Sequence, residues 1–470
     1  MELWSVWMSL VMQLRPACKR YSSFCWMVIG LMALSTRPDL LGVTSMVRAL
    51  GLKARCYERL LALMHSKALD LDLLTRLWCK IVLTTFPEFV RVNGRIVLLA
   101  DGLKIGKEGR KMPAVKSLHQ ESNNNSKPEY IMGHSCQTIS VLVRACQSFF
   151  AVPLVCRIHE GLVFSNRDRQ TLFDKILAML GVFENARLFY FIADSYYANR
   201  KMMHGLVKQG QHLIACVKQN MAVGYLLPGV DPNAKMRPGR PKKYGDKIKL
   251  KTLFKHPHLF TDMASPVYGE TNITLKVYSQ ILLCRSAGIP LLFVWVIHPV
   301  RGKIIVMSTD LTISPIDVIR LYGLRFKIEC SFKAAIHNLG TYSYHFWMKS
   351  MDKIKPRGGN QYLHLKSNDY RRQVRRKMAA YHCHIQLGLI AQGLLQYLAC
   401  SQSNTVWQQF RSWLRTIRPG IPPSECVVSE ALRGALPEFL EDAICVPNFK
   451  KFLLQKIDFS RRWRLYANVA

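Results

Sequence analysis

At 470 residues the chain exceeds one ordinary domain and can bury a large core, so about two to four structural units are expected. Lys and Arg number 66 against 30 Asp and Glu, and a formal charge of +36 opposes compaction unless a polyanion takes it up. That balance disfavours basic partners and points to a polyanion, nucleic acid first. An anionic membrane surface is the alternative, but the charge runs through folded-looking sequence instead of gathering beside an amphipathic helix.

Fourteen cysteines without a Cys-x-x-Cys pair or a secretory leader argue against a zinc ribbon and against a disulfide framework. They read as small buried apolar residues in a reducing cytoplasm. The longest early apolar run, Phe24 to Leu34, falls short of the roughly 20 residues that span a bilayer, so no membrane partner is expected.

The chain opens with a helical region, residues 1–90. Within it Asp39 to Met64 reads as two helices around a turn at Gly51, with Thr44 as a cap and Arg48, Lys53, Arg55 and Arg59 on the outer side. This is the texture of a helix-turn-helix, and equally of any basic helix pair. From Arg95 the pattern changes to short continuous apolar runs, which mark strands buried on both faces. The first is Ile96 to Ala100, followed directly by Asp101-Gly102; Gly106 to Met132 is polar and reads as a loop.

Ile139 to Arg144 and Phe149 to Val155 form a hairpin, and Arg169 to Leu180 has helical spacing with Gly181 as its stop. Leu188 to Ala193 is a buried strand ending at Asp194, followed by a helix over Asn199 to Lys208 and a strand over His212 to Val217. Strand, hairpin, helix, strand, helix, strand is the order of a ribonuclease-H-like mixed α/β sheet, here residues 91–218.

Residues 219–309 read as a basic, mostly β insertion. Lys235 to Lys255 carries nine Lys or Arg against one Asp, and strands follow at Thr274 to Leu283, Leu291 to Ile297 and Lys303 to Met307. Ser314, Pro315 and Asp317 supply an N-cap, a first-turn proline and an early acid, so a helix starts there and runs to about Asn338. Tyr322, Arg325, Glu329 and Lys333 fall on one face of it. Ile316, Ile319, Gly323, Phe326 and Cys330 form a second stripe expected to pack on the sheet. This helix occupies residues 310–345, and a helical region with basic runs fills 346–470.

Two aspartates each follow a wholly apolar strand, where ligands of open α/β sheets sit. Each is equally suited to cap the next turn. With the acid of the later helix they resemble the catalytic set of bacterial insertion-sequence DDE transposases, in the subgroup whose last acid lies in a Tyr-x2-Arg-x3-Glu-x6-Lys signature. Here it reads Tyr322-Gly-Leu-Arg325-Phe-Lys-Ile-Glu329, and Asp194-Ser195-Tyr196-Tyr197 resembles that subgroup's second-Asp motif. The final Lys would fall at 336, where this chain has Ile336; Lys333, about one turn earlier, is the candidate for that charge.

The resemblance implies that Asp101, Asp194 and Glu329 are catalytic and hold two Mg²⁺ ions, with Mn²⁺ as a substitute. It implies metal-dependent cleavage of DNA at the element's ends and strand transfer into target DNA, with Arg325 and Lys333 on phosphate and Tyr322 placing the strand. Hard oxygen ligands suit these ions, and a two-ion site activates a nucleophile and stabilises a leaving oxygen. Arg325 and Lys333 are also spaced to make ordinary i,i+4 ion pairs with Glu329.

The expected partners are double-stranded DNA, both terminal inverted repeats and target, and a second copy of the chain on paired ends; the expected location is the bacterial cytoplasm, associated with the nucleoid. The alternatives are a metal-dependent nuclease that cuts without joining, and a non-catalytic DNA-binding protein derived from a transposase. Two further stretches bear on DNA. Arg237, Arg240, Lys242 and Lys243 surround a Gly-Arg-Pro core that resembles an AT-hook, or form a flexible basic loop. Tyr342, Tyr344, His345, Phe346 and Trp347 form an aromatic run suited to the core or to stacking on an unpaired base, while Trp295 reads as core.

Overall fold

A computed structural model describes residues 2–120, 128–183, 187–217, 223–228, 243–442 and 446–460. The chain divides into two compact units: one comprises Val90–Asp101 and Phe173–Ile328, the other Met1–Phe89, Gly102–Leu172 and Glu329–Ala470. The architecture is the expected mixed α/β class with helical terminal regions, consistent with a ribonuclease-H-like arrangement.

The first unit is built on a mixed sheet. The beginning of the strand Arg95–Gly106 pairs in parallel with Phe189–Ala193, which pairs in parallel with His212–Cys216. Val97, Leu98, Leu99, Phe191 and Ile192 are fully buried, as the continuous apolar runs require. The sheet then continues antiparallel through Gly302–Ser308, Ile289–His298 and Thr274–Cys284, so the β segments read from the sequence join the same sheet. Trp295 is core: it is fully buried and its indole Nε1 donates to Leu250 O at 2.8 Å.

The other unit pairs a long hairpin, Tyr130–Ala145 with Ser148–Ile158, and lays the 34-residue helix Asn368–Ser401 against it. Gln386 and Gln396 of that helix donate to the carbonyls of Leu154 and Ala151, which satisfies acceptors along the outer hairpin strand. Gly393 allows Trp78 to approach, since a Cβ there would lie 2.2 Å from the indole ring. The apolar run Phe24 to Leu34 forms the buried helix Tyr21–Thr36, and among the described residues no helix is long and apolar enough to cross a membrane.

Several sequence expectations are corrected. The strand begun at Ile96 does not stop before Asp101 but runs on to Gly106, because beyond the last parallel pair at Leu99 it continues beside Tyr130–Ala145, with Lys107 N donating to Met132 O at 2.8 Å. The expected loop after Gly106 contains a strand, Lys116–His119, antiparallel to the start of the long hairpin. The helix pair is present as Gly42–Ala49 and Cys56–Met64 around Gly51, whose φ of +59° suits glycine; Thr44 lies inside the first helix and does not cap it. Seven of the described cysteines are buried, but Cys146 and Cys330 are exposed.

Candidate active site

Asp101 and Asp194 occupy corresponding positions on neighbouring parallel strands. The register Leu99↔Ile192 brings each acid two residues past the last pair, so both carboxylates stand at the same end of the sheet. Their local roles differ. Asp194 caps the short turn Ser195–Tyr197, its Oδ1 accepting from Tyr196 N at 2.9 Å, as the turn-capping alternative anticipated. Asp101 lies in extended strand, and its Oδ2 accepts from Arg325 Nη1 at 2.9 Å.

In the sequence Tyr197 stands out only as part of the Asp194-Ser195-Tyr196-Tyr197 motif. The structure buries its ring to 1 % exposure, within the electrostatic reach of both aspartates. Burial first, then the negative charge of Asp101 and Asp194, push its phenol well above the ordinary range, so it stays protonated beside them. Cys216, at the end of the third parallel strand, carries no signal of its own in the sequence. Tyr322 is hydrogen-bonded to it, and burial followed by the neighbouring thiol raises the Tyr322 phenol. Tyr322 is therefore tied to the end of the sheet and is half-buried.

Ser314 caps the signature helix as expected, its Oγ accepting from Asp317 N at 3.1 Å. The helix is not uniform: Pro315–Gly323 is α, Leu324–Phe326 tightens to 3₁₀, Lys327–Ala334 is α, and Ala335–Leu339 widens to π before Gly340 ends it in a left-handed conformation. The tight turn carries Arg325. The expected packing stripe holds at Ile319, which is buried with Val318 and Leu321, but Ile316 is exposed at the first turn, and past the tight turn the faces are re-phased: Phe326 and Cys330 are exposed while Leu324, Ile328 and Phe332 are buried.

The 3₁₀ turn is braced within its own unit. Val267 lies against Gly323, where a Cβ would stand 3.3 Å from its methyl carbon. Tyr268 stacks on Phe326 with centroids 6.4 Å apart, and Lys327 Nζ sits 4.3 Å from the Tyr268 centroid. Glu270 anchors that loop by accepting from Ser265 Oγ at 2.5 Å and pairing with His298 and Arg301 at 3.1 and 2.8 Å.

Glu329 and Lys333 are exposed on the second α segment and belong to the other unit. The structure thus brings together Asp101, Asp194 and Arg325, with Tyr197 and Tyr322 supporting them. Among the described residues no group of three or more His, Cys, Asp or Glu side chains is arranged to hold a metal ion. Asp101 and Asp194 nevertheless offer the hard oxygen donors that Mg²⁺ selects, and the guanidinium on Asp101 is a cation already lodged there.

Arg237, Arg240 and Lys242 lie outside the described residues; Lys243 is described, with its Nζ 5.8 Å from the Tyr244 ring centroid. The aromatic run after the helix divides. Tyr342, Tyr344 and Phe346 are core, whereas Trp347 is 64 % exposed.

Residues 162–340 match the family model described as the transposase DDE domain, which supports a DDE transposase. The match takes in Asp194 and the whole signature from Tyr322 to Lys333, while Asp101 precedes it. No curated protein matches the chain.

Proposed function

We propose that this chain is a transposase that cuts DNA at the ends of a mobile element and joins the freed 3′ ends to target DNA. The observation that carries the reading is the pairing of Asp101 and Asp194 at one end of two adjacent parallel strands, with Arg325 held on Asp101. Asp101, Asp194 and, by the resemblance, Glu329 would hold two divalent ions, Mg²⁺ with Mn²⁺ as a substitute. When bound, such ions supply activation of the attacking oxygen and stabilisation of the leaving one.

The remaining work falls to the protein. Tyr197, buried within the electrostatic reach of both aspartates, would keep a protonated phenol beside them. Arg325 neutralises Asp101 and offers a guanidinium suited to a phosphate. Tyr322 holds the signature helix to the end of the sheet, and Lys333 supplies a further positive charge in place of the lysine missing at Ile336. The basic segment with Arg237, Arg240, Lys242 and Lys243 would add minor-groove or phosphate contacts, and two copies of the chain would act on paired ends of the element in the bacterial nucleoid.

The test is incubation of wild type and Asp101→Ala with a labelled duplex carrying the element's own end, in Mg²⁺, Mn²⁺ or chelator. Cleaved and joined products that require both metal and Asp101 are expected. Cutting without joining reduces the reading to a nuclease. Binding with no cutting under any metal leaves only a DNA-binding protein.

A further inference from the structure

The unit that contains the terminal helices holds a second basic site. The helix pair Gly42–Ala49 and Cys56–Met64, the 106–111 segment and the 344–353 segment line a groove of about 920 Å³. Two of these segments are zipped together: Met348 N donates to Lys111 O at 2.9 Å, Ile354 N to Arg110 O at 2.8 Å, and Lys111 Nζ to Lys349 O at 3.1 Å. Arg110, Lys111, Lys349 and Lys353 are thereby gathered along the groove, and Lys377 joins them from the long helix. Among the described residues that line it, Glu108 is the one carboxylate.

The wall is aromatic and rigid. Tyr344 and Phe346 stack on Tyr381 with centroids 4.9 and 6.1 Å apart, and all three are buried. Trp347, next in the chain, points away from that stack and remains 64 % exposed, alongside Tyr57 at 38 %. Gly109 lies close under both Met112 and the indole, since a Cβ there would stand 2.5 Å from the Met112 sulfur and 3.2 Å from the indole nitrogen. Core packing therefore explains Tyr344 and Phe346 and leaves Trp347 unexplained. A large indole face among cations fits a base stacked on the ring with its phosphates on the lysines. Duplex bases are already stacked on one another, so the base must be unpaired.

We propose that this groove binds single-stranded DNA, with one unpaired base on Trp347 and the adjoining phosphates on Arg110, Lys111, Lys349 and Lys353. The proposal rests on the transposase reading only for the source of the strand, which is DNA opened beside a cut.

The experiment measures binding of full-length protein to a labelled single-stranded oligonucleotide and to the same sequence as a duplex, without metal, across a salt series. Trp347→Ala is expected to weaken single-strand binding by about fivefold or more, with Trp347→Phe restoring most of it and duplex affinity little changed. Lys349→Gln with Lys353→Gln is expected to lower the single-strand salt slope by about 1.4, at roughly 0.7 per lost phosphate contact. Unchanged single-strand affinity in Trp347→Ala, or an equal loss on duplex, overturns the proposal even where Asp101-dependent cutting persists. Conversely, a Trp347-dependent preference for single strands sustains it in a protein that never cuts.

Discussion

Arg325 Nη1 stands 2.9 Å from Asp101 Oδ2, with the two side chains only 20 % and 17 % exposed. A pair this sheltered is poorly screened, and removing one partner strands the other's charge. Arg325→Leu is expected to cost about 1–3 kcal/mol, part of which returns in the double variant with Asp101→Asn. Denaturation midpoints of the four proteins give the coupling directly. Strictly additive losses would mean that the two side chains do not interact.

If Asp101, Asp194 and Glu329 form the catalytic set, each carries transition-state charge through the ions it holds. Asp101→Asn, Asp194→Asn and Glu329→Gln should each slow metal-dependent cutting by about 100-fold or more, since several kcal/mol of stabilisation are at stake. Duplex binding by the basic surface should survive in all three. Glu329 is the informative member, being exposed and outside the unit that carries both aspartates. Wild-type cutting by Glu329→Gln would require another third acid.

The sequence made some of this legible and hid the rest for definite reasons. Asp194 and its strand could be read because five consecutive buried apolar residues leave little choice of conformation. Ser314 and Pro315 announced the signature helix because capping is local chemistry. The pitch changes at Leu324–Phe326 and Ala335–Leu339 are tertiary responses; the loop carrying Val267 and Tyr268 braces the first, and no periodicity in the helix itself records that. The same holds for Asp101: a single strand's sequence cannot show where its neighbour stops pairing. Tyr197 stood in view within its motif, but its burial beside two acids depends on the distant strand that carries Asp101.

Asp310 shows how position separates a structural acid from the two proposed as catalytic. It follows the antiparallel strand Gly302–Ser308, whose end pairs with Ile214, and so lies toward the start of the central parallel strands, away from Asp194. Tyr190 donates to its Oδ2 at 2.6 Å, and Thr312 donates to its Oδ1 from both backbone N and hydroxyl. Burial raises its carboxyl, but these donors outweigh burial and hold it below the ordinary value of 3.8. A carboxylate with a depressed folded pKa stabilises above its unfolded pKa and loses that contribution as pH falls through the folded one. Tyr190→Phe should therefore cost about 1.5–3 kcal/mol at neutral pH, and the difference from wild type should shrink below about pH 4. A pH-independent difference would assign the loss to packing instead.

Lys107 gives the opposite sign. Its Nζ donates to the carbonyls of Tyr342 and Tyr344 and lies 3.8 Å from the Tyr344 ring centroid, with the residue only 6 % exposed. Burial lowers its pKa from 10.5 to about 8. The folded protein thus gives up this proton more readily than the unfolded chain, which binds more protons between the two values. Stability should rise with pH from about 8 to about 10.5 through this group and stay flat with respect to it below that window. Tyrosines and cysteines titrate in the same range, so the quantity to measure is the difference between wild type and Lys107→Met at pH 7, 8.5 and 10. Wild type should gain about 1 kcal/mol or more on the variant across that span. A constant gap would mean that the contacts with Tyr342 and Tyr344 keep Lys107 charged throughout, and that its clamp between the 106–111 segment and the end of the signature helix is insensitive to pH.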